Sequence, residues 1–134
     1  TELVSPVPIG LDPQHLALVN RAMYKTVNRP KGTAYDSSIL INGNRMSGKT
    51  GTVQVRRISK DERESGVLAN KDLDWHLRDH SLFVGYAPHN NPRYAVAIVI
   101  EHGGGGAYVA APIARDIMAE LLRNEDRVRR GEIS

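Results

Sequence analysis

No cysteine occurs in the 134 residues, which excludes disulfides, thiolate metal sites and cysteine nucleophiles while leaving the compartment undecided. Aromatic residues make up only 5% of the chain, with one Trp and one Phe. Stacking platforms for single-stranded nucleic acid are therefore scarce, and no nucleic acid partner is expected. No run approaches the roughly 18 apolar residues of a membrane helix, and the opening stretch TELVSPVPIG has neither the basic nor the apolar region of a signal peptide. The charge excess is small, +3 with a pI near 9.4. Part of it sits in RNEDRVRRGEIS, so residues 124–134 are expected to form a solvated, frayed tail.

What is present has globular composition, 40% hydrophobic and 25% charged, at a length suited to one domain or part of one. The proline-interrupted start reads as a cut through a larger protein. Asp12 can cap a helix that Pro13 opens, and Leu16, Val19, Met23 and Val27 recur at helical spacing before Pro30 ends it. KGTAYDSS reads as loop. ILINGNRM and GTVQVRRI are expected to be extended, rich in β-branched residues around a Gly-containing turn.

Residues 56–79 are dense in both charge signs and show no sustained apolar period, which predicts a long, mobile loop with room for a short helix near NKDLDWHL. SLFVGYA and RYAVAIVIE, joined by PHNNP, predict an antiparallel hairpin. The run Tyr94 to Ile100 is apolar at every position, so it is expected to be covered on both faces or to lie between two neighbours. A closing helix follows Pro112, with Ile113, Ile117 and Leu121 as its stripe and Ala114, Met118 and Leu122 widening it. The fold class is thus α/β (α+β), an antiparallel sheet flanked by the N- and C-terminal helices.

The stretch GNRMSGKTGT allows two incompatible readings. Gly43 through Thr50 fit the G-x-x-x-x-G-K-[ST] phosphate loop, whereas Lys49, Thr50 and Gly51 spell the K-T-G of penicillin-reactive serine enzymes. A phosphate loop needs a helix starting at the lysine. Here Thr50, Gly51, Thr52 and Val53 fill that turn, each costing roughly 0.5–1 kcal/mol relative to alanine, and Thr52, Gln54 and Arg56 alternate with Val53 and Val55 as a strand would. On a strand Lys49 and Gly51 point one way and Thr50 and Thr52 the other. A single pocket then needs a twist or bulge near Gly51, or backbone groups that pair with an extended peptide and donate to an oxyanion.

MSGKTGTVQV, DHSLFVGYAP, YAVAIVIEHGGGG and AAPIARDIM, in this order and with NRPKGTAY upstream, resemble class B penicillin-binding proteins, and among them those that serve cell elongation. The resemblance implies a partial penicillin-binding serine transpeptidase (β-lactamase-like) fold. It also implies acyl transfer, in which a serine attacks the D-Ala-D-Ala bond of a peptidoglycan stem peptide and β-lactams acylate the same serine. It assigns Lys49 to the electrostatic and proton network, the Thr52 amide to an oxyanion hole, and Thr50, Gly51 and Thr52 to substrate binding. No cofactor is implied.

The family's nucleophile lies in Ser-x-x-Lys. None of Ser5, Ser37, Ser38, Ser47, Ser59, Ser65, Ser81 or Ser134 has lysine three positions on, and no Ser-x-Asn occurs. The chain is therefore expected to be the C-terminal portion of a transpeptidase domain, with no nucleophile of its own. The implied partners are the N-terminal remainder of the same protein, a glycan-polymerising membrane protein and the elongation scaffold. The implied location is the periplasmic face of the bacterial inner membrane, through an anchor upstream. A nucleotide hydrolase and a non-catalytic binding module on the same fold are the rival readings.

Other residues read more blandly. His76, His80, His89 and His102 lack paired helical spacing with carboxylates, so no metal site is expected, and His80 at a strand start is expected to be structural. Gly103 to Gly106 are expected to carry the chain into the last helix. Trp75 is expected to make a loop contact.

Overall fold

The computed structural model describes residues 10–132. Helix α1 spans Pro13–Asn28. The Asp12 carboxylate accepts the Gln14 N–H at 2.7 Å, Pro13 supplies a preset φ at the first position, and Arg29 turns extended ahead of Pro30, as a residue before proline prefers. Of the expected stripe Val27 is fully buried, whereas Leu16 and Val19 remain 42% and 53% exposed. The first half of α1 thus lies beyond the core.

Strands β1 (Ser47–Val53), β2 (His80–Ala87) and β3 (Tyr94–Ile100) form an antiparallel sheet in the order β1-β2-β3. The meander and the hairpin are as expected, but ILINGNRM is not a strand. Ile41 and Asn44 exchange backbone bonds of 3.0 and 2.8 Å around Asn42 and Gly43, both at positive φ. That tight turn uses up the extended residues, and β1 begins only at Ser47. Ladder pairing then carries β1 straight through Gly48 and Gly51 without a turn.

Unbroken apolar character in β3 does not bring cover on both faces here. Among the described residues β3 pairs with β2 alone, and Ala95, Ala97 and Val99 are exposed while Tyr94, Val96, Ile98 and Ile100 are half-buried. Helix α3 (Ala110–Arg129) packs on β2 and β3 from one side. Its buried stripe is Ala114, Met118 and Leu122 with Ala110, Ala111 and Ala119. Ile113, Ile117 and Leu121, expected to lead, are 37–42% exposed. Small alanines let the helix approach the sheet, with Met118 and Leu122 beside them, and Ile113, Ile117 and Leu121 are turned outward.

The start of α3 has no cap from its own sequence. Instead the buried Ser81 hydroxyl of β2 accepts the Ala110 N–H at 3.1 Å, a helix-end donor with no intrahelical partner, and donates to the Gly105 carbonyl at 3.2 Å. Residues 124–129 continue α3 as helix. There Glu125 takes two bonds from Arg93, at 3.0 and 2.7 Å, and one from Arg129 at 2.9 Å, and Asp126 bonds Asn42.

Phe83 is the largest fully buried side chain, packed with Met46, Met118, Leu122 and Val27. Gly48 and Gly85 make room for its ring: a β-carbon on Gly48 would fall 2.2 Å from Phe83 Cζ. In the charged segment, Ser59 caps a short helix α2 (Lys60–Ser65) by accepting the Glu62 N–H at 3.1 Å. That is half of an S-x-x-E capping box, a signal present in SKDE and not used above. Near NKDLDWHL the chain makes two single 3-10 turns, Asn70–Asp72 and Trp75–Leu77. Among the described residues no helix is long and apolar enough to cross a membrane.

Candidate active site

Lys49, Thr50, Gly51 and Thr52 lie in the middle of β1, one of the two edge strands among the described residues. Register runs unbroken from Ser47 opposite Tyr86 to Val53 opposite His80, so no bulge occurs at Gly51. Lys49 and Gly51 share a face with Val84 and Leu82, and Thr50 and Thr52 with Phe83 and Ser81. Side chains alone therefore do not bring the K-T-G-T groups into one pocket. What the ribbon offers instead is its outer backbone edge, where every second residue of an edge strand presents its N–H and C=O away from the neighbour. A phosphate loop is overturned by the same geometry, because Thr50 to Val53 are strand where its helix would begin.

Three of the four are held by distinct contacts. Lys49 is exposed and its Nζ donates to the Thr50 carbonyl at 2.7 Å. The Thr50 hydroxyl lies 3.0 Å from that of Thr33, in the turn after α1. Behind Gly51 packs Gly106 of the glycine-rich loop, whose missing β-carbon would stand 2.4 Å from the Gly51 carbonyl oxygen. Thr52 is exposed at the open end.

The start of β1 is fixed by groups that the sequence reading did not single out. Asn28 Nδ2 donates to the Met46 carbonyl at 2.7 Å and to the Tyr24 carbonyl at 3.0 Å, tying α1 to β1. Ser47 Oγ and His89 Nδ1 are 2.8 Å apart, and the His89 N–H donates to the Arg45 carbonyl at 2.8 Å. A serine and a histidine at this distance have the makings of a nucleophile and base. Ser47 is wholly buried, however, and Tyr24 covers His89 with ring centroids 4.6 Å apart, so the pair acts as a clamp. Asn28 and Thr33 sat in plain view in VNRPKGT, but only tertiary contact gives them partners.

His80 is structural, its Nδ1 accepting the His102 N–H at 2.9 Å. Trp75 is 62% exposed and meets the His102 ring at a tilt of 59°, with centroids 4.5 Å apart. Beyond Val53 the Arg56 guanidinium bonds both Glu62 carboxylate oxygens. That bond holds the Glu62 carboxyl below its ordinary value of 4.5, against a smaller opposing effect of burial. Among the described residues no cluster of His, Cys, Asp or Glu could hold a metal ion.

Comparison with known proteins identifies the family. The family described as penicillin binding protein transpeptidase domain matches residues 8–119. The Haemophilus influenzae peptidoglycan D,D-transpeptidase MrdA is 38% identical over 102 residues, covering 76% of this chain and 15% of MrdA. Pseudomonas aeruginosa PBP2, solved in complex with WCK 5153, superposes with a TM-score of 0.59 at 34% identity, covering 84% of this chain and 20% of that one. Helicobacter pylori PBP2, solved in complex with MreC, gives 0.63 at 27% identity, covering 87% and 20%. This chain thus spans a minor share of the length of the proteins it matches. With the K-T-G ribbon, the hairpin and the closing helix all in the expected order, it belongs to the penicillin-binding protein transpeptidase domain family.

Proposed function

We propose that this chain is the C-terminal portion of a peptidoglycan D,D-transpeptidase, supplying one wall of an active site whose nucleophilic serine lies elsewhere in the same protein. The observation that carries it is the edge position of β1: K-T-G sits on a straight ribbon whose outer backbone is open to an extended peptide. Strand addition supplies main-chain affinity there. The Thr50 and Thr52 hydroxyls bind the terminal carboxylate of the D-Ala-D-Ala donor, Lys49 supplies positive charge beside the reacting serine, and the Thr52 amide donates to the oxyanion. Loss of one such donor typically costs about 2.7–4 kcal/mol in the barrier.

The reaction balances without any cofactor. The serine oxygen attacks the penultimate D-Ala carbonyl, the C–N bond breaks, and D-Ala departs with a proton on its amine. An acceptor amine then attacks the ester, a new C–N bond forms, the C–O bond breaks, and the amine's proton returns to the serine oxygen. β-Lactams acylate the same serine. By analogy with H. pylori PBP2, whose structure includes MreC, we place the protein in the elongation machinery at the periplasmic face of the inner membrane. An anchor upstream of this chain would hold it there, and a glycan-polymerising membrane protein would work beside it.

Labelled penicillin tests the reading. The full-length protein becomes covalently labelled and the isolated 134-residue chain does not. Labelling of the isolated chain, or none of the full-length protein, would refute it, and the second result would favour a binding module that kept the fold without its chemistry.

A further inference from the structure

Between the C-terminal half of α1, the turn that follows it and β1 lies an open groove of about 430 Å³. Lys25 from the helix, Arg29 from the cap that ends it, Lys31 from the turn and Lys49 from the strand all line it, with Thr33 at the junction. None of the four cations takes part in an ion pair among the described residues. Helix α1 contains no acidic residue at all, and Arg21, Lys25 and Arg29 follow one another at i, i+4, the spacing at which like charges repel.

The helix dipole favours Lys25 and Arg29 near the C-terminus of α1, but it gives no reason for Lys31 and Lys49 to converge on the same place from a turn and a strand. Four cations around a floor of Ala22, Thr26 and their own aliphatic stems make a site for an anion carried on a partly apolar chain.

Position narrows the ligand. Thr50, assigned above to the departing D-Ala carboxylate, shares its hydroxyl contact with Thr33, which lines the groove. The groove therefore opens from the leaving-group side of the ribbon. The acceptor amine must reach the acyl ester from where the D-Ala amine left, so the rest of the acceptor comes to lie on that side.

We propose that this groove is the acceptor site, and that Lys25, Arg29 and Lys31 bind a carboxylate carried by the acceptor peptide near its nucleophilic amine. The inference rests on the transpeptidase reading and goes beyond it by assigning residues to the second substrate. Bond making and breaking are those of the second step above, with the groove only orienting the amine.

The test uses the full-length protein, a D-Ala-D-Ala donor peptide and two acceptor peptides that differ only in bearing a carboxylate or a carboxamide beside the amine. The readout is the partition of the acyl-enzyme between aminolysis and hydrolysis. The carboxylate acceptor is expected to be favoured by about tenfold or more, as charge-assisted bonds imply, and added salt should erode that preference. In the Lys25→Gln/Lys31→Gln double variant the preference should shrink to about twofold or less. Lys31→Gln alone, in an exposed turn, gives a partial loss if the pair disturbs folding.

Equal use of the two acceptors by the unmodified protein, or a preference that survives in the variants, would overturn the proposal. So would inhibition of aminolysis by inorganic pyrophosphate far beyond that by acetate at equal ionic strength, which would mark a phosphate site. Labelling by penicillin is scored separately: without it the transpeptidase reading itself falls, whereas labelling with no acceptor preference removes only the groove assignment.

Discussion

Gly106 lies flush against Gly51, so that a β-carbon at 106 would stand 2.4 Å from the Gly51 carbonyl oxygen and 3.0 Å from its amide nitrogen. Backbone cannot step aside as a side chain can. Gly106→Ala must therefore displace either the glycine-rich loop or the K-T-G ribbon, at a cost of about 1–3 kcal/mol. In the full-length protein its penicillin acylation should slow on the order of tenfold to a hundredfold. Gly105→Ala, whose nearest obstacle is the exposed Tyr108 ring at 3.2 Å, should be milder. Equal melting points and acylation rates for the two variants would show that the loop does not hold the ribbon.

Asn28 is the polar joint between helix and strand. Asn28→Ala strips the partner from the Met46 carbonyl, bonded at 2.7 Å, and should cost about 1–3 kcal/mol in denaturant unfolding. Asn28→Asp should also destabilise, since a carboxylate oxygen then faces two carbonyl oxygens, although Arg45, 3.4 Å from the other side-chain oxygen, offsets part of the cost. A loss in either below a few tenths of a kcal/mol would mean that water replaces the amide without penalty.

Thr33 and Thr50 make a testable pair. If the 3.0 Å contact orients Thr50 toward substrate, Thr33→Val raises the KM for a D-Ala-D-Ala peptide about two- to tenfold with kcat held, and Thr33→Ser restores it. A fall in kcat with KM unchanged would place the effect elsewhere.

The charged segment has its own pH dependence. Because the Arg56 guanidinium lowers the Glu62 carboxyl in the folded chain, the stabilisation is complete above the ordinary value of 4.5 and fades as pH falls through the lower folded value. Amide exchange in α2 should therefore accelerate beyond its intrinsic pH trend on acidification, and Glu62→Gln should remove that excess. An excess that persists in Glu62→Gln points to another group.

The elements that local chemistry controls were legible in the sequence. Asp12-Pro13 set the start of α1, Pro30 set its end, and PHNNP set the hairpin. Misreadings occurred where tertiary contact decides. Ser81 caps α3 from a neighbouring strand, the alanines of α3 outcompete Ile113 and Ile117 for the sheet, and a tight turn at Asn42 and Gly43 takes up ILINGNRM, which reads as extended. Of the site, Lys49 to Thr52 were visible as a motif. Thr33, Asn28 and Gly106 were not, since a threonine or glycine 17 or more positions away carries no mark of its neighbour.

Helix α3 is fastened at its two ends by unlike means. Its first turn is seated by buried hydroxyl and backbone contacts around Ser81 and Gly106, which dissolved ions hardly reach. Its last turns hold the hairpin tip and the turn at Asn42 through partly exposed Glu125 and Asp126, where electrolyte weakens attraction over about 10 Å at 0.1 M. Brine should therefore relax the pole remote from the ribbon first and leave the reactive pole in place, so that ionic strength becomes a dial for one half of the molecule alone.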